Sequence, residues 1–161
     1  MSIKNKEINW KALIISLLIS LGVGTLSAIL NKDAFMAYTE FEKPFLSPPS
    51  IVFPIVWTIL YFLMAISAYI KYESDHADKK IALAIYGIQL LVNFVWPFIF
   101  FGGQYFLFAF IWLLLLIVAT ASMIFVFYRI NKKAGLLQLP YLLWLLFAAY
   151  LNFGVYLLNQ A

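Results

Sequence analysis

Gln89 and Asn93 lie four residues apart inside an apolar run, and Trp96 follows three residues later. At helical spacing all three share one side of the helix. A second group, Trp144, Ala148, Leu151 and Asn152, shares one face of a later run. Amides carried into an apolar layer face other protein segments or a cavity. Two roles fit them: hydrogen bonds between helices, or polar anchors for a bound molecule. An alanine beside a tryptophan leaves room. An aromatic-lined cavity with a few amides suits a large, flat, mostly apolar ligand, and a porphyrin has that shape.

Other chemistries have little to stand on. The chain has no cysteine, and its one histidine, His76, sits in the polar run ESDHAD. No nucleophile–base pair and no phosphate-binding glycine loop is present. Haem iron is usually held by a buried His, Cys or Met–His pair. Any porphyrin would therefore be held as a free base or without axial protein ligation, with tyrosine ligation left open. No ionisable side chain falls in the middle of an apolar run, which argues against ion-coupled transport. No metal site, no obligatory cofactor and no nucleic-acid partner is expected.

The elements that must position these groups follow from composition. The chain of 161 residues is 65% hydrophobic and 11% charged, against roughly 25% charged in an ordinary soluble domain. Apolar segments run at about 12–30, 49–70, 81–101, 105–128 and 136–158. Each has the length of a helix that crosses a bilayer, and period-2 alternation is absent. The fold expected is an all-α integral membrane protein, a bundle of five transmembrane helices forming a single domain over 1–161. The first apolar run is too long for the core of a cleaved signal peptide and lacks a small-residue cleavage site, so it reads as a retained span.

Five spans put the termini on opposite sides. The N-terminal side carries Lys4, Lys6, Lys11, Lys71, Lys79, Lys80, Arg129, Lys132 and Lys133, and the other side only Lys32 and Lys43. That bias predicts a cytoplasmic N-terminus and an external C-terminus. With no targeting extension evident, a bacterial plasma membrane is expected.

The link 31–47 is long and interleaves Phe35, Met36, Tyr38, Phe41, Phe45 and Leu46 with charges. It reads either as a short amphipathic helix on the membrane surface or as a lid over the bundle. Pro48 and Pro49 follow it. Ser47 is expected to cap the second span, with the prolines in its first turn. Pro54 is expected to kink that span and free a carbonyl near position 50. Gly24 with Ala28, and Ala84 with Gly87, offer small-residue surfaces for a dimer or for close packing within one chain.

Three blocks carry a resemblance. They are KPxxxPPxxxFxxVWxxLYxxMAxSxY at 43–69, QLLVNFVWPFIFFG at 89–102 and LPYLLWLLFAAYLN at 139–152. Together they resemble the translocator protein family, also known as tryptophan-rich sensory protein or peripheral benzodiazepine receptor. The resemblance covers nearly the whole chain in order.

It implies a homodimer with a ligand pocket near the long first loop, able to take protoporphyrin IX, sterols or other membrane lipids. Isoquinoline carboxamide and benzodiazepine drugs are also implied. Carried over by position, the ligand-binding residues would be Ile51, Tyr61, Gln89, Asn93, Trp96, Phe108, Trp144, Ala148 and Leu151. Leu46, Ile51 and Phe108 stand where the family often has tryptophan. The sterol motif of animal members is missing after Tyr156.

The function expected is a membrane receptor or sensor for porphyrins and other apolar ligands that transports or buffers them. The alternative is an enzyme that degrades protoporphyrin IX in light and oxygen, with Trp96 and Trp144 near the ring. The tryptophan departures weaken that alternative.

Overall fold

The computed structural model describes residues 7–160. Lys4 and Lys6 lie outside them. The described chain forms α1 (Trp10–Leu30), α2 (Lys32–Ala37), α3 (Val52–Tyr72) and α4 (Lys79–Pro97). A π-helical turn (Phe98–Gly102) follows, and then α5 (Phe106–Ile130), α6 (Lys132–Leu136) and α7 (Leu139–Leu158). Among the described residues, five spans are long and apolar enough to cross a membrane: α1, α3, α4 with its π turn, α5, and α6 with α7. The protein is thus an all-α five-helix membrane bundle. Around it, α3 and α4 flank α1, α4 packs on α5, and α5 packs on α7.

Asn9 starts α1 by accepting the Ala12 N–H at 3.1 Å. Most of α1 faces outward, and its inner stripe is small and polar. The Ser16 hydroxyl donates to the Ala65 carbonyl (2.7 Å) and the Ser20 hydroxyl to the Tyr61 carbonyl (2.8 Å). Gly24 lies under the Tyr61 ring, where a Cβ would come within 2.4 Å of ring carbon. Small residues let α1 and α3 approach closely. Gly24 is therefore committed to packing within the chain.

The second span starts later than its prolines suggest. Ser47 does not cap it. Ile51 precedes the first helical residue, and the Val52 N–H donates to the Pro49 carbonyl (2.9 Å). Pro54 is the third residue of α3, where the first turn has N–H groups without helical partners anyway. No kink is needed, and the Ser50 carbonyl accepts the Phe53 N–H at 3.3 Å.

Pro97 acts where Pro54 does not. It ends α4, and the chain widens into the π turn, closed by the Gly103 N–H on the Phe98 carbonyl (2.8 Å). A proline without an N–H breaks the ordinary ladder, and π turns absorb such breaks.

The fifth span is broken rather than continuous. It begins at Lys132, and residues 137–138 form a turn between α6 and α7. Pro140 stands in the first turn of α7. α6 is tied to α3 by the Ser67 hydroxyl, which donates to the Ala134 carbonyl at 2.6 Å. Above the break α7 draws away from α3.

The 31–47 link is both a short helix and a packed lid. After α2, Tyr38 and Phe41 join Phe53, Phe100, Phe101 and Phe106 in one aromatic cluster. The lid is fastened to the end of α7. The Glu42 N–H donates to Asn159 Oδ1 (3.1 Å), and Asn159 Nδ2 donates back to the Glu42 carbonyl (2.9 Å). Pro44 sits on Gly154, where a Cβ would meet it at 2.6 Å.

Lys71 behaves unlike the other bases at its end of the bundle. Its side chain is fully buried, its Nζ donates to the Phe127 carbonyl (2.6 Å), and it lies 5.3 Å from that ring's centre. The Asn131 N–H reaches the same carbonyl at 2.8 Å. A cation at a helix C-terminus meets its unpaired carbonyls and dipole favourably. Lys71 thereby locks α3 to the end of α5.

Candidate functional site

The amides predicted as anchors are built into the bundle. Tyr141 of α7 donates its hydroxyl to Gln89 Oε1 (3.0 Å), and Gln89 Nε2 lies 3.8 Å from Met64 Sδ. Asn93 Nδ2 donates to the Tyr61 hydroxyl at 3.2 Å. Gln89, Asn93, Tyr61 and Tyr141 are all buried. Nearer the lid, Trp96 donates its indole N–H to Asn152 Oδ1 (3.2 Å), and Asn152 Nδ2 donates to the Phe106 carbonyl (2.8 Å). Trp96 also stacks on Phe100 at 5.0 Å and 16°. These groups bond α3, α4, α5 and α7 together. In this structure they serve as interhelical hydrogen bonds.

Trp144 differs. It is half-buried, and its Nε1–H is enclosed without a hydrogen-bond partner. It lies on the wall of a cleft of about 400 Å³ between α3 and α7. Val56, Ile59 and Leu60 line the α3 side, and Pro140, Leu143, Trp144 and Phe147 the α7 side. The walls are almost wholly apolar. The cleft opens where α7 diverges from α3 above the break at 137–138. Phe53 meets the Trp144 ring edge-on at 5.9 Å and Tyr38 at 5.7 Å, so the lid reaches the cleft through one ring. Burial pushes the Tyr38 phenol pKa up, partly offset by the Ser47 hydroxyl, so this lid ring stays neutral at ordinary pH.

Of the other sequence-predicted residues, Ala148 and Leu151 are buried beside this region in α7. Phe108 lies on the outer face of α5, 52% exposed, and Ile51 is 66% exposed before α3. Neither is brought to the cleft or to the amides. The residues that sequence reasoning missed are the apolar cleft walls. Their spacing did hold a signal: 140, 143, 144 and 147 form a single helical stripe, as do 56, 59 and 60.

The TspO/MBR family matches residues 15–158. This chain belongs to that family. A tryptophan-rich protein TspO of Archaeoglobus fulgidus is 38% identical over 148 residues, 91% of this chain and 96% of its own length. The tryptophan-rich sensory protein of Cereibacter sphaeroides is 34% identical, covering 95% of this chain and 94% of its own. The human translocator protein is 33% identical, with 85% and 83% covered. TspO/MBR membership and the five apolar spans together make this an integral membrane protein. Among the described residues, no group of three or more His, Cys, Asp or Glu could hold a metal.

Proposed function

We propose that this TspO/MBR protein is a membrane receptor for flat, largely apolar ligands of the porphyrin class, bound in the cleft between α3 and α7. The observation that carries the reading is Trp144. It presents its ring to an apolar cleft between α3 and α7, and its indole N–H is enclosed by protein and unbonded. An indole N–H is a donor only, so a ligand carboxylate or carbonyl would complete it once the Trp144 side chain turns towards the cleft. Wall residues such as Leu143 and Ile59 face outward enough to admit a ligand from the bilayer. Protoporphyrin IX fits this description, and so do lipids and isoquinoline carboxamide or benzodiazepine drugs. Relatives named as sensory and translocator proteins favour sensing or carriage. The bases at one end favour a cytoplasmic N-terminus in a plasma membrane.

Titration of the detergent-purified protein with protoporphyrin IX, in darkness and then in light, tests this. Saturable binding with a stable spectrum is expected. Protein-dependent loss of the porphyrin spectrum under light would favour the degrading enzyme instead. No saturable binding would overturn the porphyrin reading.

A further inference from the structure

A second cavity lies at the opposite end of the bundle from the lid. It has a volume of about 530 Å³ and is walled by three helices. Ala12 and Ile15 come from α1, Ala68 from α3, and Leu83, Gly87 and Leu90 from α4. Gly87 leaves it wide, because a Cβ there would meet nothing within 4 Å. The inner part is apolar and the rim is not.

Lys11 lines the rim, exposed and without a carboxylate partner among the described residues. Tyr72 lines it too, and Lys79 Nζ rests 4.6 Å from the Tyr72 ring centre. Glu73, the nearest acidic group in sequence, is engaged by Asn9 Nδ2 at 3.1 Å. Glu7, Asp75 and Asp78 lie on the same side of the bundle, against Lys11, Lys71, Lys79, Lys80, Arg129, Lys132 and Lys133. Deeper in, Tyr86 lines the cavity. It is only 6% exposed, and its hydroxyl is enclosed by protein beside Ser20. The Ser20 hydroxyl donates to the Tyr61 carbonyl, which leaves its oxygen free to accept from Tyr86.

An apolar slot with ammonium groups at its mouth matches an acyl chain topped by a phosphate. We infer that this groove binds an anionic phospholipid of the leaflet on the basic side, with an acyl chain between α1, α3 and α4 and its phosphate at Lys11 and Lys79. The site is separate from the α3–α7 cleft and does not rest on it.

Native mass spectrometry of the full chain released from detergent, titrated with phosphatidylglycerol or with phosphatidylcholine, tests the inference. One phosphatidylglycerol should bind in preference, and each basic side chain near an anionic headgroup should contribute about fivefold. Lys11→Gln should lower phosphatidylglycerol affinity by about that factor and leave phosphatidylcholine unchanged. Gly87→Phe fills open space without a clash, so it should fold normally and lose the bound lipid. Equal affinity for the two lipids would overturn the inference. So would undiminished phosphatidylglycerol binding to Gly87→Phe. If Gly87→Phe instead turns a dimer into a monomer with its lipid count unchanged, a second copy of this chain occupies the groove and the inference fails.

Discussion

Gln89 and Asn93 are enclosed, and each amide is bonded to a tyrosine of a neighbouring helix. Trp144, on α7, stands half-buried beside open space with its indole N–H unbonded. Both regions draw on polar or aromatic residues within apolar spans. They differ in what surrounds them. Where α3 packs on α4 and the Tyr141 side chain reaches across from α7, an amide finds a partner on the next helix, and leaving it bare costs free energy. Where the fifth span breaks at 137–138, α7 draws away from α3 and space remains. Within this bundle, the amides hold helices together, and beyond the break a cleft lies between α3 and α7.

The comparison can be broken in several ways. The largest effect should come from Gly135→Val in α6, below the break. A Cβ there would lie 2.7 Å from the Tyr128 backbone, which cannot turn aside. Overpacking of this kind costs about 1–3 kcal/mol, seen as a lower melting temperature in detergent and a weakened cleft.

Next in size, Trp144→Ala should weaken porphyrin binding by about tenfold or more, equivalent to at least about 1.4 kcal/mol. Its melting temperature should change far less than that of Gly135→Val.

Gln89→Leu should do the reverse. It strands the Tyr141 hydroxyl, costing about 1–3 kcal/mol if no new partner is found, while ligand affinity of the folded protein holds. A membrane hydrogen bond is often worth less, about 0.6 kcal/mol, so a small shift in melting temperature also fits. A collapse of affinity does not.

Phe108→Ala should change neither quantity, with stability within about 0.5 kcal/mol, because its side chain faces outward.

Much of this bundle was legible in the sequence. Five spans, their order and the long lid follow from run lengths and charge placement, because lipid forces each backbone polar group to be bonded within its span. The π turn after Pro97 and the broken fifth span were less visible. Pro54 and Pro97 look alike in sequence, yet Pro54 falls in a first turn and Pro97 at a helix end. Gly135 and Pro140 flank the break, but the sequence reading placed Gly135 in a loop and Pro140 near a helix start.

Lys71 was counted among the bases of the N-terminal side and is buried, because the end of α5 offers it a carbonyl. The cleft walls escaped because Ile59 and Leu143 are indistinguishable by type from residues that face only lipid. Trp144, which lines the cleft, was singled out by its aromatic type and its neighbour Ala148.

The most direct measurement is a protoporphyrin IX titration, read by porphyrin absorption, of the native protein, Leu143→Trp and Asn93→Leu. Leu143→Trp fills the cleft from its exposed wall, and Asn93→Leu removes an amide from the seam. The account predicts at least about a tenfold loss of affinity for Leu143→Trp and a nearly unchanged affinity for Asn93→Leu. Unimpaired binding by Leu143→Trp, together with a loss in Asn93→Leu, would place the ligand among the amides and contradict it.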